Sequence, residues 1–518
     1  MRNSAMRAVV LVAAAGLLGG SLVAGAAQAA PGLEFGSCPA GAVTDDRGVQ
    51  CAVISVPMDY ANPDSPRIEL TVSRIAATGT RRGVIFANPG GPGADALDYW
   101  AKRTEALPAA LATDYDRIAV QPRGLRWATP LTCQTAGEIS GGREEVKQAC
   151  DAAQPGYLDT ITTENTARDL ESVRAALGVE KIAYLGVSYG TYLGAVYASL
   201  FPQRVDRMIL DSNVNPDWVW TEEFAQQQVA GKQRLDDLFA WIAEHNAEYR
   251  LGDTPFQVYE NWVRLVSAQG GGWYANLTPP PASVADLPGE LPTPLAELAR
   301  DGVNLTMEQA GKVQNLVRTL LSGGASAQTP MVGATAVATY TRSFWPTFAR
   351  AMSEAHADPA NIARLLALEG VTATDPTGRF VFAAITCNEN GIPGKPELLA
   401  AAAGTIATGG NAMDARADLV RSGAACGSWE PVTKPVALTG ADLRTKPLLL
   451  QSRHDALTKY EGGPALARAL SGALITVEGG DHGTFGRGNT VLDDAVMTYL
   501  RTGQVAITAA DQAPLPKP

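Results

Sequence analysis

The chain has 518 residues, of which 46% are hydrophobic, 18% charged and 7% aromatic. This composition is typical of a globular protein and excludes a fibrous or wholly disordered chain. The formal net charge is −11, and the sequence contains no cluster of Lys and Arg. Nucleic-acid binding depends on basic side chains that neutralise phosphates, so the sequence argues against it.

The N-terminal segment has the pattern of an export signal. Arg2 and Arg7 precede an uncharged run of Ala, Leu, Val and Gly that ends in an A-x-A cleavage pattern at residues 27–29. We therefore expect a signal peptide over residues 1–29 and a secreted, extracellular product. The alternative is an uncleaved membrane anchor, because the run is long enough to span a bilayer. No later segment has 18 consecutive apolar residues, so we expect no membrane attachment after cleavage.

The six cysteines fit an oxidising compartment. Their number is even, and none lies in a C-x-x-C pair, which argues against redox chemistry and against a zinc ribbon. About 15 pairings are possible for six cysteines. Proximity in the sequence favours three structural crosslinks, namely Cys38–Cys51, Cys133–Cys150 and Cys387–Cys426.

The first part of the chain alternates predicted strands and helices. Two strands, at CAVISVPMDY and RIELTVSRI, come first, followed by a buried strand in GVIFANPGGPG and a short strand at residues 116–121. A helix at Asn165–Leu177 is followed by KIAYLGVSYG as strand and turn, TYLGAVYASLF as helix and VDRMILDS as strand. This alternation predicts an α/β fold with a mostly parallel sheet and helices on both faces.

The alternation stops near residue 213 and resumes near residue 440. The intervening sequence is helical and rich in Trp, Gln and Ala, and KPLLLQS, KYEGGPALARAL, ALITVEGG and NTVLDDAVMTYLR then restore the strand and helix order. We therefore expect one α/β domain interrupted by a helical lid. The predicted ranges are 30–212 for the first part of the core, 213–440 for the lid, 441–507 for the rest of the core and 508–518 for a loose tail.

Gly186-Val187-Ser188-Tyr189-Gly190 is a G-x-S-x-G motif between a predicted strand and a predicted helix. The pattern alone is weak, but this context is the one that a nucleophile elbow requires. Flanking glycines permit a tight strained turn that lifts a serine hydroxyl above the sheet. Gly194, one turn later, would let the helix approach the sheet closely. Ser188 is the candidate nucleophile.

A serine nucleophile requires a base, and the chain has four histidines. His245 and His356 lie in helix-like stretches of the insertion, and His454 follows a strand beside an aspartate. His482 lies in the Gly-rich GGDHGTFG loop between the last predicted strand and the last helix. Such a loop can place an imidazole over the carboxyl edge of the sheet, so His482 is the candidate base.

Three aspartates compete for the role of the acid that orients this base. Asp455 follows the penultimate predicted strand and fits the order serine, acid, histidine that this architecture uses. Asp211 ends the strand after the nucleophile helix, and Asp481 directly precedes His482. Asp455 is favoured, and Asp211 is the main alternative.

An oxyanion requires backbone N–H donors beside the nucleophile. Tyr189, the residue after the nucleophile, offers one. The NPGGPG loop at residues 88–93 offers the second, with Gly91 preferred and Gly90 next. The expected site uses neither a metal nor an organic cofactor.

These motifs carry a family resemblance. NPGGPG, QPRG, GVSYGTYLGAVYASLFPQRVDRMILD, AITCNE and RHDALTKYEGG…GGDHGTF resemble the secreted tripeptidyl aminopeptidases of actinomycetes, over about residues 38–499. That family consists of α/β-hydrolase serine peptidases related to proline iminopeptidases. The resemblance implies the α/β-hydrolase fold with a lid, and the triad Ser188, Asp455 and His482. It also implies that the region of Cys387 and Cys426 braces the lid against the core.

The chain departs from the family pattern beside the expected mouth of the site. Where the family usually reads D-P-R-G-x-G-x-S, the sequence has Gln121, Arg126 and Ala128 at the three diagnostic positions. Ala94-Asp95 stands where the family often has Ser-Gly. No triad member is removed, so we expect these departures to affect substrate preference more than hydrolysis.

The predicted function is a secreted serine exopeptidase that releases short peptides, tripeptides above all, from free N-termini. The same triad could serve an esterase or lipase-like hydrolase, and a third reading is a binding protein on an inactive hydrolase fold. An exopeptidase requires a carboxylate for the cationic amino end of its substrate. Glu389 in the lid is the preferred candidate, with Glu222 and Glu223 as alternatives. The expected partner is a peptide with a free N-terminus.

Overall fold

A computed structural model of the chain describes residues 32–45, 48–62, 64–104, 106–133, 143–287, 292–321, 329–358 and 376–515. The predicted signal peptide therefore lies outside the described residues. Within them, no helix is long and apolar enough to cross a membrane.

Nine strands of the described chain form one sheet, in the order β1-β2-β4-β3-β5-β6-β7-β8-β9. The pairings of β2 with β1 and with β4 are antiparallel, and all others are parallel. The strands are β1 (Val49–Pro57), β2 (Arg67–Ile75), β3 (Gly83–Asn88), β4 (Tyr115–Val120), β5 (Ile182–Val187), β6 (Val205–Asp211), β7 (Leu448–Ser452), β8 (Ala473–Glu478) and β9 (Ala509–Asp511).

Helices cover both faces of this sheet. The core helices are α1 (Tyr99–Arg103), α2 (Ala109–Asp114), α3 (Arg143–Ala153), α4 (Thr163–Ala176), α5 (Tyr189–Leu200), α15 (Gly462–Leu470) and α16 (Thr490–Thr502). Side chains of β3 alternate between two apolar layers, with Phe86 packed on the face of α4 and α5 and Ile85 on the face of α1, α2 and α16. This arrangement confirms the predicted α/β class with a mostly parallel sheet.

The described chain between β6 and β7 is helical, and most of its helices share an apolar core of their own, whereas the helix at residues 376–388 packs in the sheet layer of α4 and α5. Leu238, Trp262 and Phe348 belong to this core, which is separate from the two layers on the sheet. We call these helices the lid. They are α6 (Thr221–Glu244), α7 (Asn246–Tyr249), α8 (Pro255–Ala268), α9 (Thr293–Leu321), α10 (Pro330–Tyr340), α11 (Trp345–Ala357), α12 (Pro376–Asn388), α13 (Leu398–Ala407) and α14 (Ala412–Arg421).

The tail is more ordered than its Ala- and Pro-rich composition predicts. Residues 509–511 form β9, which pairs in parallel with β8 and is the last strand of the sheet, and the carbonyl of Ala513 accepts a hydrogen bond from Arg342. A loose tail from residue 508 was therefore wrong for these residues. The three residues Ala-Ala-Asp have no strand pattern in the sequence. They form a strand through their pairing with β8.

The three predicted disulfides are present, with Cys38–Cys51, Cys133–Cys150 and Cys387–Cys426 each bonded. The third bond joins the end of α12 to the segment after α14. It therefore connects two parts of the lid that lie 39 residues apart in the chain. Cys387 precedes Glu389 by two residues.

Candidate active site

Ser188 occupies a strained turn between β5 and α5. Its φ of 59° and ψ of −127° lie in a region that non-glycine residues rarely adopt. The flanking glycines have no room for a side chain, because a Cβ at Gly186 would lie 2.2 Å from the carbonyl oxygen of Gly190, and one at Gly190 would lie 2.5 Å from that of Asn88. The predicted close approach at Gly194 is also found, since a Cβ there would lie 2.4 Å from the ring of Tyr184.

His482 and Asp455 form a buried pair at the same edge of the sheet. The Nδ1 atom of His482 lies 3.0 Å from both carboxylate oxygens of Asp455. Asp455 also accepts hydrogen bonds from the backbone N–H groups of Leu457 and Thr458 and from the Thr458 hydroxyl. Burial acts to raise the pKa of Asp455, but His482 and these donors hold it below its usual value. The carboxylate therefore stays charged and fixes the orientation of the imidazole.

Asp211 serves the site in a different way. Its carboxylate accepts hydrogen bonds from the N–H and hydroxyl groups of Thr484 and from the N–H of Phe485, at 2.7–2.9 Å. Its backbone carbonyl accepts from the N–H of Ser188 at 3.1 Å. Asp211 thus joins the turn of Ser188 (the serine turn) to the loop at residues 479–486 that carries His482 (the histidine loop). The aspartate that contacts His482 in this structure is Asp455.

The lid holds the histidine loop from the opposite side. The carbonyl of Tyr340 accepts a hydrogen bond from the N–H of His482 at 2.8 Å, and the two rings meet edge to face. Asp481 accepts from the N–H of Arg342 at 2.7 Å and from the guanidinium of Arg234 at 3.1 Å. No prediction from the sequence included these lid residues. They lie more than 130 residues from the loop in the chain and belong to no motif, so no local signal marks them.

The candidate oxyanion loop, residues 88–93, packs directly against the turn that carries Ser188. A Cβ at Gly90 would lie 2.8 Å from the Cβ of Ser188 and 3.2 Å from the nitrogen of Tyr189. The N–H of Gly90 already donates to the side chain of Asn88 at 2.9 Å. That use of the Gly90 donor favours Gly91 as the partner of Tyr189 in an oxyanion hole.

Gln121, one of the departures from the family pattern, bonds to the segment that follows this loop. Its side-chain oxygen accepts a hydrogen bond from the N–H of Ala96 at 3.0 Å, and its amide nitrogen donates to the carbonyl of Arg126. The N–H of Arg126 in turn donates to the hydroxyl of Thr377 in α12. The substituted segment therefore links the chain that follows residues 88–93 to α12.

The three candidate glutamates have different partners. Glu389 is 3% exposed, and its carboxylate accepts from the N–H and hydroxyl groups of Thr163 and from the indole of Trp220. Burial raises the pKa of Glu389 to about 7 despite these donors. Glu222 forms a two-bond ion pair with Arg421, which lowers the pKa of that glutamate.

Glu223 is the incompletely satisfied member of the three. One carboxylate oxygen accepts from the N–H of Asn215 at 3.2 Å, and the other has no hydrogen-bond partner in the part of the chain that the structure describes. Burial raises the pKa of Glu223 well above its usual value, and nearby Asp455 adds to the effect. A cation at the vacant oxygen would relieve this cost.

His245 and His454 have partners other than the candidate triad. His245 bonds to the carbonyl of Trp241 within the lid, and His454 lies 3.9 Å from Asp237 with 45% of its side chain exposed. Among the described residues, no group of three or more His, Cys, Asp or Glu side chains could hold a metal ion.

Sequence comparisons agree with this architecture. A profile for the alpha/beta hydrolase fold matches residues 83–277, and a profile for TAP-like proteins matches residues 412–511. The tripeptidyl aminopeptidase of Streptomyces lividans is 32% identical over 94% of this chain and 87% of its own. Serine protease Hip1 of Mycobacterium tuberculosis is 27% identical over 88% of this chain and 86% of its own. Carboxylesterase B of the same species is 28% identical over 95% and 92%.

The fold, the serine turn and these relatives define a serine hydrolase of the peptidase type on the α/β-hydrolase fold. Within that class, the chain belongs to the tripeptidyl aminopeptidase family, to which the identity extends over nearly its whole length. The family resemblance predicted from the motifs is thereby confirmed.

Proposed function

We propose that this protein is a secreted serine exopeptidase that releases short peptides, and tripeptides in particular, from free N-termini. The observation that carries the proposal is the buried His482–Asp455 pair at the sheet edge that also presents Ser188. The name of the Streptomyces lividans relative supports the tripeptide specificity.

In the proposed reaction, Ser188 is the nucleophile and His482 the base. The serine oxygen attacks the scissile carbonyl while the Nε2 atom of His482 takes its proton, and Asp455 stabilises the resulting imidazolium. The N–H groups of Tyr189 and Gly91 bind the oxyanion. His482 then protonates the leaving amine, and a water molecule, deprotonated by the same imidazole, hydrolyses the acyl-enzyme to release the peptide acid and free Ser188.

The substrate's amino end requires a carboxylate in this scheme. Glu389 was preferred from the sequence, but its oxygens already accept three hydrogen bonds, and the charge of Glu222 is balanced by Arg421. We therefore propose Glu223 as the anchor, because its carboxylate interacts electrostatically with Asp455 and its unpartnered oxygen gains a partner when an ammonium binds.

The anchor is tested by Glu223→Gln, with Glu244→Gln at the exposed end of the same helix as the control. We expect Glu223→Gln to lower kcat/KM for a free tripeptidyl amide by roughly tenfold to a thousandfold, the range for a lost charged hydrogen bond, and to spare a small neutral ester. Equal losses on both substrates, or a loss on neither, would remove Glu223 from this role. The same measurements on Glu389→Gln decide between the two candidates.

An export role is supported by the predicted signal at residues 1–29 and by the three disulfides, which form in oxidising compartments. Expression of the full chain should yield an extracellular product that begins near residue 30 by N-terminal sequencing. Retention of an intact N-terminus in the membrane fraction would support the anchor reading.

A carboxylesterase is the second candidate. The relative named carboxylesterase B covers 95% of this chain, and the triad serves amides and esters equally well. Turnover of a peptide panel of increasing length, each member with a free or an acetylated N-terminus, is compared with turnover of acyl esters. Preference for free tripeptidyl amides supports the exopeptidase, whereas ester turnover without amide turnover supports the alternative. Failure to react with a fluorophosphonate would indicate an inactive binding protein.

A further inference from the structure

A cavity of about 680 Å³ lies within the lid, between the start of α6, the second half of α12 and the segments at 390–396 and 420–431. Its volume is within the range of sites that bind small ligands. Three aromatic residues form one wall, with ring centroids 6.0 Å apart for Trp220 and Phe224 and 5.1 Å apart for Phe224 and Phe382. The disulfide Cys387–Cys426 forms part of another.

Two contacts connect the elements that form this cavity to the turn of Ser188 and to the loop at residues 88–93. Gly378, in the first turn of α12, meets the oxyanion loop so closely that a Cβ at Gly93 would lie 2.2 Å from its carbonyl oxygen. Phe382 follows one helical turn later on the same face, about 6 Å along the axis. At the other wall, the ring of Trp220 lies 5.7 Å from that of Tyr189, the residue after the nucleophile.

The lining indicates which side chains the cavity would accept. Beside the aromatic rings it offers uncharged polar groups, among them Gln227, Gln228 and Asn390. Among the described residues that line it, Glu430 alone carries a charge, and it takes part in no ion pair of the described chain. Aromatic walls favour apolar side chains, and an unpaired carboxylate at the rim repels acidic ones.

We propose that this cavity is the specificity pocket for the acyl part of the substrate, and that it selects apolar and aromatic side chains in the released peptide while disfavouring acidic ones. The inference rests on the proposed exopeptidase function, because it assigns the cavity to the peptide segment between the scissile bond and the free amine. Phe382 and Glu430 are the specificity-determining residues of this pocket.

The test compares tripeptidyl amides that differ in one residue of the released peptide, Leu, Phe, Gly or Asp. The wild type should prefer Leu and Phe over Gly. Phe382→Ala should lose that preference, by about tenfold to a hundredfold in kcat/KM, while its Gly substrate changes little. The control is Phe256→Ala, which removes a lid phenylalanine outside the cavity that stacks on Tyr259. Equal effects of the two variants, or an unchanged Leu-to-Gly ratio in Phe382→Ala, would overturn the proposal.

The charge is tested separately by Glu430→Lys, an exposed change that should leave folding intact. Hydrolysis of the Asp substrate should rise several-fold relative to the Leu substrate in this variant. An unchanged Asp-to-Leu ratio would remove Glu430 from the pocket.

A second substrate series separates failure of this inference from failure of the proposed function. If the wild type cleaves no peptide but hydrolyses p-nitrophenyl esters, the exopeptidase proposal fails while the cavity can still be assayed with acyl chains of increasing length. Preference for long acyl chains that disappears in Phe382→Ala would keep the cavity as an acyl pocket. No dependence on chain length would refute it independently of peptide turnover.

Discussion

The sheet edge and the lid treat their buried carboxylates differently. At the sheet edge, Asp455 and Asp211 each accept at least three hydrogen bonds, and each fixes a neighbouring segment. In the lid, Glu223 keeps an oxygen without a partner in the described chain, and burial raises the pKa of Glu389 to about 7. The sheet edge therefore satisfies its buried carboxylates within the chain, whereas Glu223 in the lid retains an oxygen to which a bound group could donate.

The strongest test of the sheet edge is removal of its reacting groups. Ser188→Ala, His482→Ala and Asp455→Asn should each lower kcat by about 10⁴-fold or more, because triad members act as a unit. Circular dichroism should show an unchanged fold. Full activity in Asp455→Asn together with loss in Asp211→Asn would move the acid to β6.

Asp211 tests whether a buried carboxylate at the sheet edge can stabilise the fold without taking part in the reaction. Asp211→Ala leaves donors of Thr484 and Phe485 unsatisfied, which should lower the free energy of unfolding by about 2–4 kcal/mol. Asp206→Ala, on the exposed part of the same strand, is the control for denaturant unfolding. A stable Asp211→Ala variant would contradict its role as the joint between the serine turn and the histidine loop.

The contact between lid and histidine loop is the place where the two regions meet. Arg234→Met removes the charge that holds Asp481 but keeps much of the side chain. As a positioning residue, Arg234 should affect kcat, by roughly tenfold to a hundredfold, and leave KM for a small ester unchanged. Arg234→Lys should restore part of kcat. A change in thermal stability with unaltered kcat would indicate a purely structural role.

The last prediction concerns the pH dependence of lid stability. A carboxyl whose pKa rises from 4.5 to about 7 on folding costs nothing below pH 4.5, where it is protonated in both states. Its full cost applies above pH 7, so Glu389→Gln should gain up to about 3 kcal/mol relative to wild type between pH 4.5 and 8. Urea unfolding at both pH values measures the gain, and Glu244→Gln is the control. A pH-independent difference would contradict the pKa assigned to Glu389.

Strand and helix order was predictable wherever local pattern and tertiary packing agree. Strands β3 and β5 are continuous apolar runs because helices cover both faces of the sheet. The NPGGPG and G-x-S-x-G motifs lie at their carboxyl ends. Strand β9 was missed because three small residues gain their order from β8 alone. The predicted ranges of the core and the lid remain predictions.

The candidate site likewise has residues that were predictable from the sequence and residues that were not. Ser188 directly follows β5, and Asp455 and His482 lie in the loops that follow β7 and β8, so their placement at one sheet edge was predictable from order alone. The supports from Arg234 and Tyr340 were not, because they depend on how the lid folds over the core. The partners of the glutamates depend equally on packing, and that is why the preferred amine anchor changes from Glu389 to Glu223.

The most direct test of the central claim is the labelling rate of the wild-type protein by a tripeptidyl phosphonate ester, with a free or an acetylated amino end. Peptide mapping should find one adduct, on Ser188, and the free amine should accelerate labelling at least about tenfold, the effect of one charged contact. An adduct on another residue, or equal rates for the two reagents, would contradict a serine exopeptidase that recognises a free N-terminus.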